Sequence, residues 1–254
     1  MITRPNTQHN AGFSLVELAM SITIIGILIG GVLKGQDVLD AAHVSRLASE
    51  VHYYESAFNT FTSAYGGYPG DISDATTAVP GCTTANNCID GNGDGYIGDP
   101  ANIHMPVDQT GSDGEDGEPE TTQFWKHLAL TDLIDSVDRT SDPASPEWGV
   151  THPKSAVAGG YHVGRGNHVA VVDATWILLR RPITGSRTFI EGQAPISPLV
   201  ARALDRKIDD GWPDLGRMQN PDEGLCDSTL EDGGERVYNL TRSKNCAPMF
   251  RLPM

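Results

Sequence analysis

Phe13–Leu33 (FSLVELAMSITIIGILIGGVL) contains one ionisable side chain, Glu17. A carboxylate in hydrocarbon costs about 2.5–3.5 kcal/mol on insertion scales, so it needs a partner and marks function by default. The chemistry open to it is pairing with an opposite charge, since two charges each costly in an apolar setting relieve one another. A second chemical group is Asp90-Gly91-Asn92-Gly93-Asp94-Gly95-Tyr96-Ile97. The pattern D-x-N-x-D-G opens a calcium-binding loop. Asp90, Asn92 and Asp94 would give side-chain oxygens, Tyr96 its carbonyl, and Gly95 the sharp turn. The closing position is Ala101 rather than an acid, so Asp99, or a carboxylate from elsewhere such as Asp108, would have to complete the set. Such a site would be structural, ordering a loop with little hydrophobic content. An acidic, glycine-rich turn without an ion is the plainer alternative.

Other candidates are weaker. Asp205, Asp209 and Asp210 read as a helix end and turn, with a second cation site, joined by Asp214 or Asp222, as the alternative. His43 and His52 are too far apart on one helix to share a metal at i, i+4, and His162 and His168 flank a glycine-rich turn and read as solvated. GxSxG, HExxH and phosphate-loop patterns are absent, and no enzymatic activity is expected.

These residues need elements to position them. The apolar run is long enough to span a bilayer as a helix. Beyond it Val44, Leu47, Val51, Tyr54, Phe58, Phe61 and Tyr65 alternate in steps of three and four, one helical stripe. No proline interrupts residues 13–65, and Gly66-Gly67 and Pro69-Gly70 supply the stop. One helix over 13–65 would reach about 80 Å. Gly26 and Gly30 form a GxxxG that permits close helix contact, and Gly30, Gly31 and Gly35 mark a place where the helix could loosen.

Residues 66–120 are rich in Gly, Asp and Pro and read as irregular. Residues 122–135 (TQFWKHLALTDLID) predict a helix. His168–Val172 and Thr175–Leu179 read as strands, Ser197-Pro198 as a helix cap with Asp209-Asp210-Gly211 at its end, and Arg236–Leu240 as a last short strand.

Composition narrows the classes. The 254 residues carry a formal charge of −15. Between Leu47 and Trp125 lie 13 Asp and Glu and no Lys or Arg, a block that repels nucleic acid and anionic lipid and suits cation binding or solubility. Nucleic acid is therefore not an expected partner. Cys82, Cys88, Cys226 and Cys246 all follow the apolar run, which suits disulfides in an exported domain. Three connectivities are open; Cys82–Cys88 and Cys226–Cys246 are favoured as local closures.

A secretory signal would be cut after its apolar region, behind small residues; here the small residue, Gly12, precedes it. The string Gly12-Phe13-Ser14-Leu15-Val16-Glu17 resembles the prepilin signature of type IV pilins and type II secretion pseudopilins. Tyr68-Pro69-Gly70-Asp71, the FWxHL pattern from Phe124 and the run from Asp205 to Pro213 resemble one subset of these proteins. The resemblance implies a leader at 1–12, cleavage between Gly12 and Phe13 by a prepilin peptidase, methylation of the Phe13 amine, and Glu17 pairing with a neighbour's amino terminus. It implies an α+β fold: a long amino-terminal helix (13–65, with 13–33 in the membrane) packed on a small antiparallel sheet, and a head over 66–254 with long acidic loops. Expected partners are other pilins in a filament, the peptidase and an inner-membrane assembly platform. Expected location is the inner membrane of a Gram-negative-type bacterium, then a periplasmic or extracellular filament. A secretion pseudopilin and a membrane-tethered, calcium-dependent binding module are the alternatives.

Overall fold

The apolar run and the aromatic stripe lie on one helix. The computed structural model describes residues 14–98, 120–142, 145–166, 174–181, 183, 192–220, 225–229 and 236–253. Helix α1 spans Leu15–Tyr65 without interruption. The chain divides into two units, residues 1–42 and 43–254. In the first, every residue from Ser14 to Leu39 is exposed, and the helix is long and apolar enough to cross a membrane by length and composition. Gly26, Gly30, Gly31 and Gly35 remain helical, and a Cβ added at any of them would meet nothing within 4 Å.

The second unit is built on the stripe. Val44, Leu47, Val51, Tyr54, Phe58 and Phe61 are all buried. Tyr54 sets its ring 5.2 Å from Trp125 and 5.1 Å from Tyr161, and Phe58 stacks on Tyr68 at 5.5 Å and on Phe124 at 6.2 Å. Trp125 and Phe124 belong to α3 (Glu120–Leu130), in which all eleven residues are buried. The helix predicted over 122–135 stops earlier. Asp132 adopts φ +59°, and the Leu133 N–H donates to the Leu128 carbonyl, turning the chain while Ile134 stays in the core. Between α1 and α3, the described part of the irregular segment holds only a single-turn α2 (Ala75–Ala78) and a 3-10 turn at Thr84–Asn86.

The main sheet is antiparallel in the order β1 (Gly160–Gly166), β2 (Ala174–Arg180), β6 (Met249–Arg251), β3 (Met218–Gln219). Val163 pairs with Ile177, Ile177 with Phe250, and Phe250 with Met218, placing one apolar row across all four strands. A separate pair joins β4 (Asp227–Thr229) and β5 (Arg236–Tyr238). Helix α4 (Pro198–Ile208) starts as its sequence requires: the Ser197 hydroxyl accepts from the Val200 N–H and Pro198 occupies the first turn. The disulfides Cys82–Cys88 and Cys226–Cys246 are both closed. The fold is thus α+β, a long helix with a small antiparallel sheet.

One expectation is overturned. The glycine-rich stretch around His162 is strand β1, and His162 is 0% exposed rather than solvated. Gly160 explains the misreading. A Cβ there would strike the Trp148 ring and the Pro153 carbonyl, so glycine is what lets the strand pass beneath the indole. His168 and the strand expected at 168–172 lie outside the described residues.

Phe58→Ala should cost about 3–5 kcal/mol in denaturant unfolding of the full-length chain in detergent, followed by tryptophan fluorescence. Leu28→Ala, which truncates an exposed side chain of the first unit, should leave that transition in place. Equal losses in both variants would contradict the division of labour along α1.

Candidate functional site

Two segments converge on the start of α3. The turn Tyr68–Ile72 closes through the Asp71 and Ile72 N–H groups, which donate to the Tyr68 carbonyl at 3.2 and 3.0 Å. The loop from Asp90 lies along it: the Gly91 N–H donates to the Ile72 carbonyl at 2.9 Å and the Gly93 N–H to the Asp71 carbonyl at 2.8 Å. Such an approach excludes side chains, since a Cβ on Gly91 would collide with the backbone of Gly70 and Asp71. His127 ties both segments to α3. Its Nδ1 accepts from the Gly70 N–H at 2.9 Å, so Nε2 carries the proton toward the Ile89 carbonyl at 3.2 Å. Burial holds the imidazole down to about 4, only partly offset by the Ile89 carbonyl and Asp90 and reinforced by Lys126.

The loop's acids separate in this setting. Asp90 turns to Thr76, with Oδ1 accepting from its N–H at 2.7 Å and Oδ2 from its hydroxyl at 3.1 Å. Asn92 Oδ1 accepts from the Asp94 N–H, and Asp94 Oδ1 from the Tyr96 N–H, both at 2.8 Å. Asp99 and Asp108 lie outside the described residues. Asp94 instead joins two acids that a linear loop pattern does not include. One carboxylate oxygen each from Asp71, Asp94 and Glu120 lie within 4.8 Å of one another. Glu120 is 1% exposed; its Oε1 accepts from the Asn92 N–H at 3.2 Å and its Oε2 from the Gly98 N–H at 3.0 Å. Burial pushes Glu120 up to about 7, against the pull of those N–H groups, and Asp71 and Asp94 push it further up. Asp71 is raised as well, first by burial.

Asp205, Asp209 and Asp210 also come together, but their oxygens serve the turn after α4. Asp205 accepts from the Tyr238 hydroxyl at 2.6 Å and the Gly211 N–H at 3.1 Å. Asp209 Oδ2 accepts from the Met218 N–H at 2.8 Å and from the Arg217 N–H, and Asp210 from the Trp212 N–H at 2.8 Å. Burial pushes Asp205 up to about 7. Asp222 lies outside the described residues.

At the other end of the chain, the first turn of α1 carries a motif that a hydropathy reading passes over. Ser14-Leu15-Val16-Glu17 is a capping box: the Ser14 hydroxyl accepts from the Val16 N–H at 3.2 Å, and Glu17 Oε2 accepts from the Ser14 N–H at 3.0 Å. The S-x-x-E spacing was the available signal. The Ser21 and Thr23 hydroxyls donate to the Glu17 and Ala19 carbonyls at 2.8 Å, so neither needs water. Leu15, Val16, Ala19, Met20, Thr23 and Ile24 form a shallow apolar groove along this face. Gly12 and Phe13 lie outside the described residues.

Residues 7–33 match the family model described as the prokaryotic N-terminal methylation motif. The chain carries the type IV pilin and pseudopilin signature. No curated protein and no solved structure matches the chain. Glu17 and the apolar groove both fall inside the methylation motif, whereas the acidic cluster falls outside it. Proteins with this motif are structural rather than enzymatic.

His127 generates a pH prediction. Its folded value of about 4 lies below the usual imidazole value of about 6.5, so the unfolded chain binds a proton that the native head refuses. His127 therefore withdraws stability as pH falls from 6.5 to 4, up to about 3 kcal/mol. Glu120 and Asp205, folded at about 7, act in the opposite sense over that window. The difference between native chain and His127→Gln isolates the histidine. The variant should unfold with a flatter loss of Tm between pH 6.5 and 4; identical profiles would remove His127 as a source.

Proposed function

We propose that the chain is a type IV pilin-like structural subunit, made as a membrane-anchored precursor and polymerised through its amino-terminal helix. The observation that carries the reading is the methylation motif at residues 7–33, whose described part from Leu15 runs along a helix with every residue exposed from Ser14 to Leu39. Such a surface needs lipid or other helices around it. A prepilin peptidase would remove residues 1–12, and methylation of the Phe13 amine would follow. Residues 13–65 would be the assembly helix, its first half in the membrane, and 66–254 the head. Before assembly the subunit would sit in the inner membrane, with an assembly platform and other pilins as partners, and afterwards in a periplasmic or extracellular filament. A type II secretion pseudopilin shares the motif and the same assembly chemistry.

The capping box sharpens the role of Glu17. Within one chain the carboxylate satisfies only a neutral N–H. Cleavage before Phe13 would create a charged amine beside Ser14, and the same carboxylate on the next subunit would meet it. Capping and charge pairing are separable, because glutamine also serves in a capping box.

Mass spectrometry of membrane or filament preparations should find a mature chain beginning at methylated Phe13. Glu17→Gln should keep the helix start and membrane residence yet lose filament assembly as Glu17→Ala does. Normal filaments from the glutamine variant would assign Glu17 to capping alone, and a mature chain beginning at Met1 would remove the reading altogether.

A further inference from the structure

We infer that Asp71, Asp94 and Glu120 hold a divalent cation, calcium, which locks the acidic loop to the start of α3. The inference stands apart from the assembly reading, which concerns the other end of the chain. It also relocates the calcium expected from the D-x-N-x-D-G pattern: Asp94 remains a ligand, Asp90 does not, and the other two acids come from the Tyr68–Ile72 turn and from α3.

The observation beyond the clustering of acids is an unsatisfied oxygen. Asp71 is 4% exposed, and its Oδ1 has no hydrogen-bond partner among the described residues, whereas Oδ2 accepts from the Gly95 N–H at 3.1 Å. A buried carboxylate oxygen without a partner is strongly unfavourable, and a bound cation is one of the few ways to satisfy it. Compensation by a side-chain cation from the surrounding stretch is excluded, because no Lys or Arg occurs between Leu47 and Trp125. The other charges acting on Asp71 and Glu120 are carboxylates, each opposing ionisation.

Chemistry and size choose the ion. The donors are all carboxylate oxygens, hard ligands that suit calcium, magnesium or manganese rather than zinc or copper. One oxygen from each acid lies within 4.8 Å of the others. That is close enough for all three to share one ion; calcium accepts an irregular set of six to eight oxygens at about 2.4 Å, while magnesium demands near-ideal octahedral geometry at about 2.1 Å. Three carboxylates from three segments suit the looser ion. Asp94 is exposed and Asp71 and Glu120 are buried, so the ion has one open side, on which water would complete its shell. The three carboxylates reach it only because Gly91 allows the loop to lie on the turn. Releasing the ion leaves like charges facing each other at the joint.

The test uses the full-length chain in detergent, stripped with chelator and titrated with calcium chloride by calorimetry and thermal unfolding. One calcium should bind per chain and raise Tm by roughly 5–10 °C at a hundredfold excess over Kd, with magnesium at least tenfold weaker. Asp94→Asn, which keeps the acceptor for the Tyr96 N–H at an exposed position, should weaken binding at least tenfold, and Asp71→Asn should abolish it. Asp90→Asn should leave affinity within twofold. Should Asp71→Asn fail to fold, Asp94→Asn against Asp90→Asn decides alone. Absence of any calcium-dependent heat or Tm shift overturns the site, and so does loss of binding in Asp90→Asn with retention in Asp94→Asn.

Discussion

A helix buried on every side with Glu120, Gln123, Lys126 and His127 along it obliges the chain around it to bring hydrogen-bonding groups. Each polar atom left bare in that interior would cost on the order of 1–3 kcal/mol. The surrounding backbone meets much of the demand, although Gln123 Oε1 and Trp125 Nε1 find no partner among the described residues. Lys126 Nζ donates to the Asn86 carbonyl at 2.5 Å and to the Ser141 carbonyl, Gln123 Nε2 to the Asn87 carbonyl at 2.9 Å, and His127 holds Gly70 and Ile89. The Cys82–Cys88 loop thus turns the Asn86 carbonyl onto Lys126 and the Asn87 carbonyl onto Gln123, and burial lowers the lysine's pKa while Asp138 and Asp142 hold it up. The segment looks irregular because it answers to α3 rather than to its own repeating hydrogen bonds.

The long helix meets a different demand. A run of Leu, Ile and Val with one acid is poorly suited to water along its whole circumference, and the following stripe is suited to water on all but one face. The two stretches share backbone geometry and differ only in which side chains decorate it. Chemistry specific to the first stretch is confined to its opening turn, where Ser14 and Glu17 fix how the helix begins.

What could be read from the sequence follows the range of the forces involved. The stripe from Val44 to Phe61 was legible because burial on a helix imprints a period of about 3.6 residues, and the start of α4 because capping is local. Val163, Ile177 and Phe250 come together only through strand pairing, which leaves no short-range trace. Strand β1 was hidden by its glycines, of which Gly160 makes room for the Trp148 ring across the fold. The acidic site was half legible: the loop motif pointed to Asp94, but Asp71 and Glu120 join it through contacts distant in sequence. Asp90, the first residue of that motif, accepts from Thr76, a partner that the loop pattern does not announce. Ser14 was overlooked because the apolar run beside it dominates any hydropathy reading.

Strand β6 lies between β2 and β3, although it follows both in the chain. Until Met249–Arg251 take their place, β2 lacks its second neighbour and β3 has no partner in the main sheet. The sheet must therefore wait, half-open, for its third strand in space, with the apolar row from Val163 to Met218 interrupted at Phe250. A molecule in which that strand is displaced keeps the β1–β2 hairpin and loses the link between it and β3.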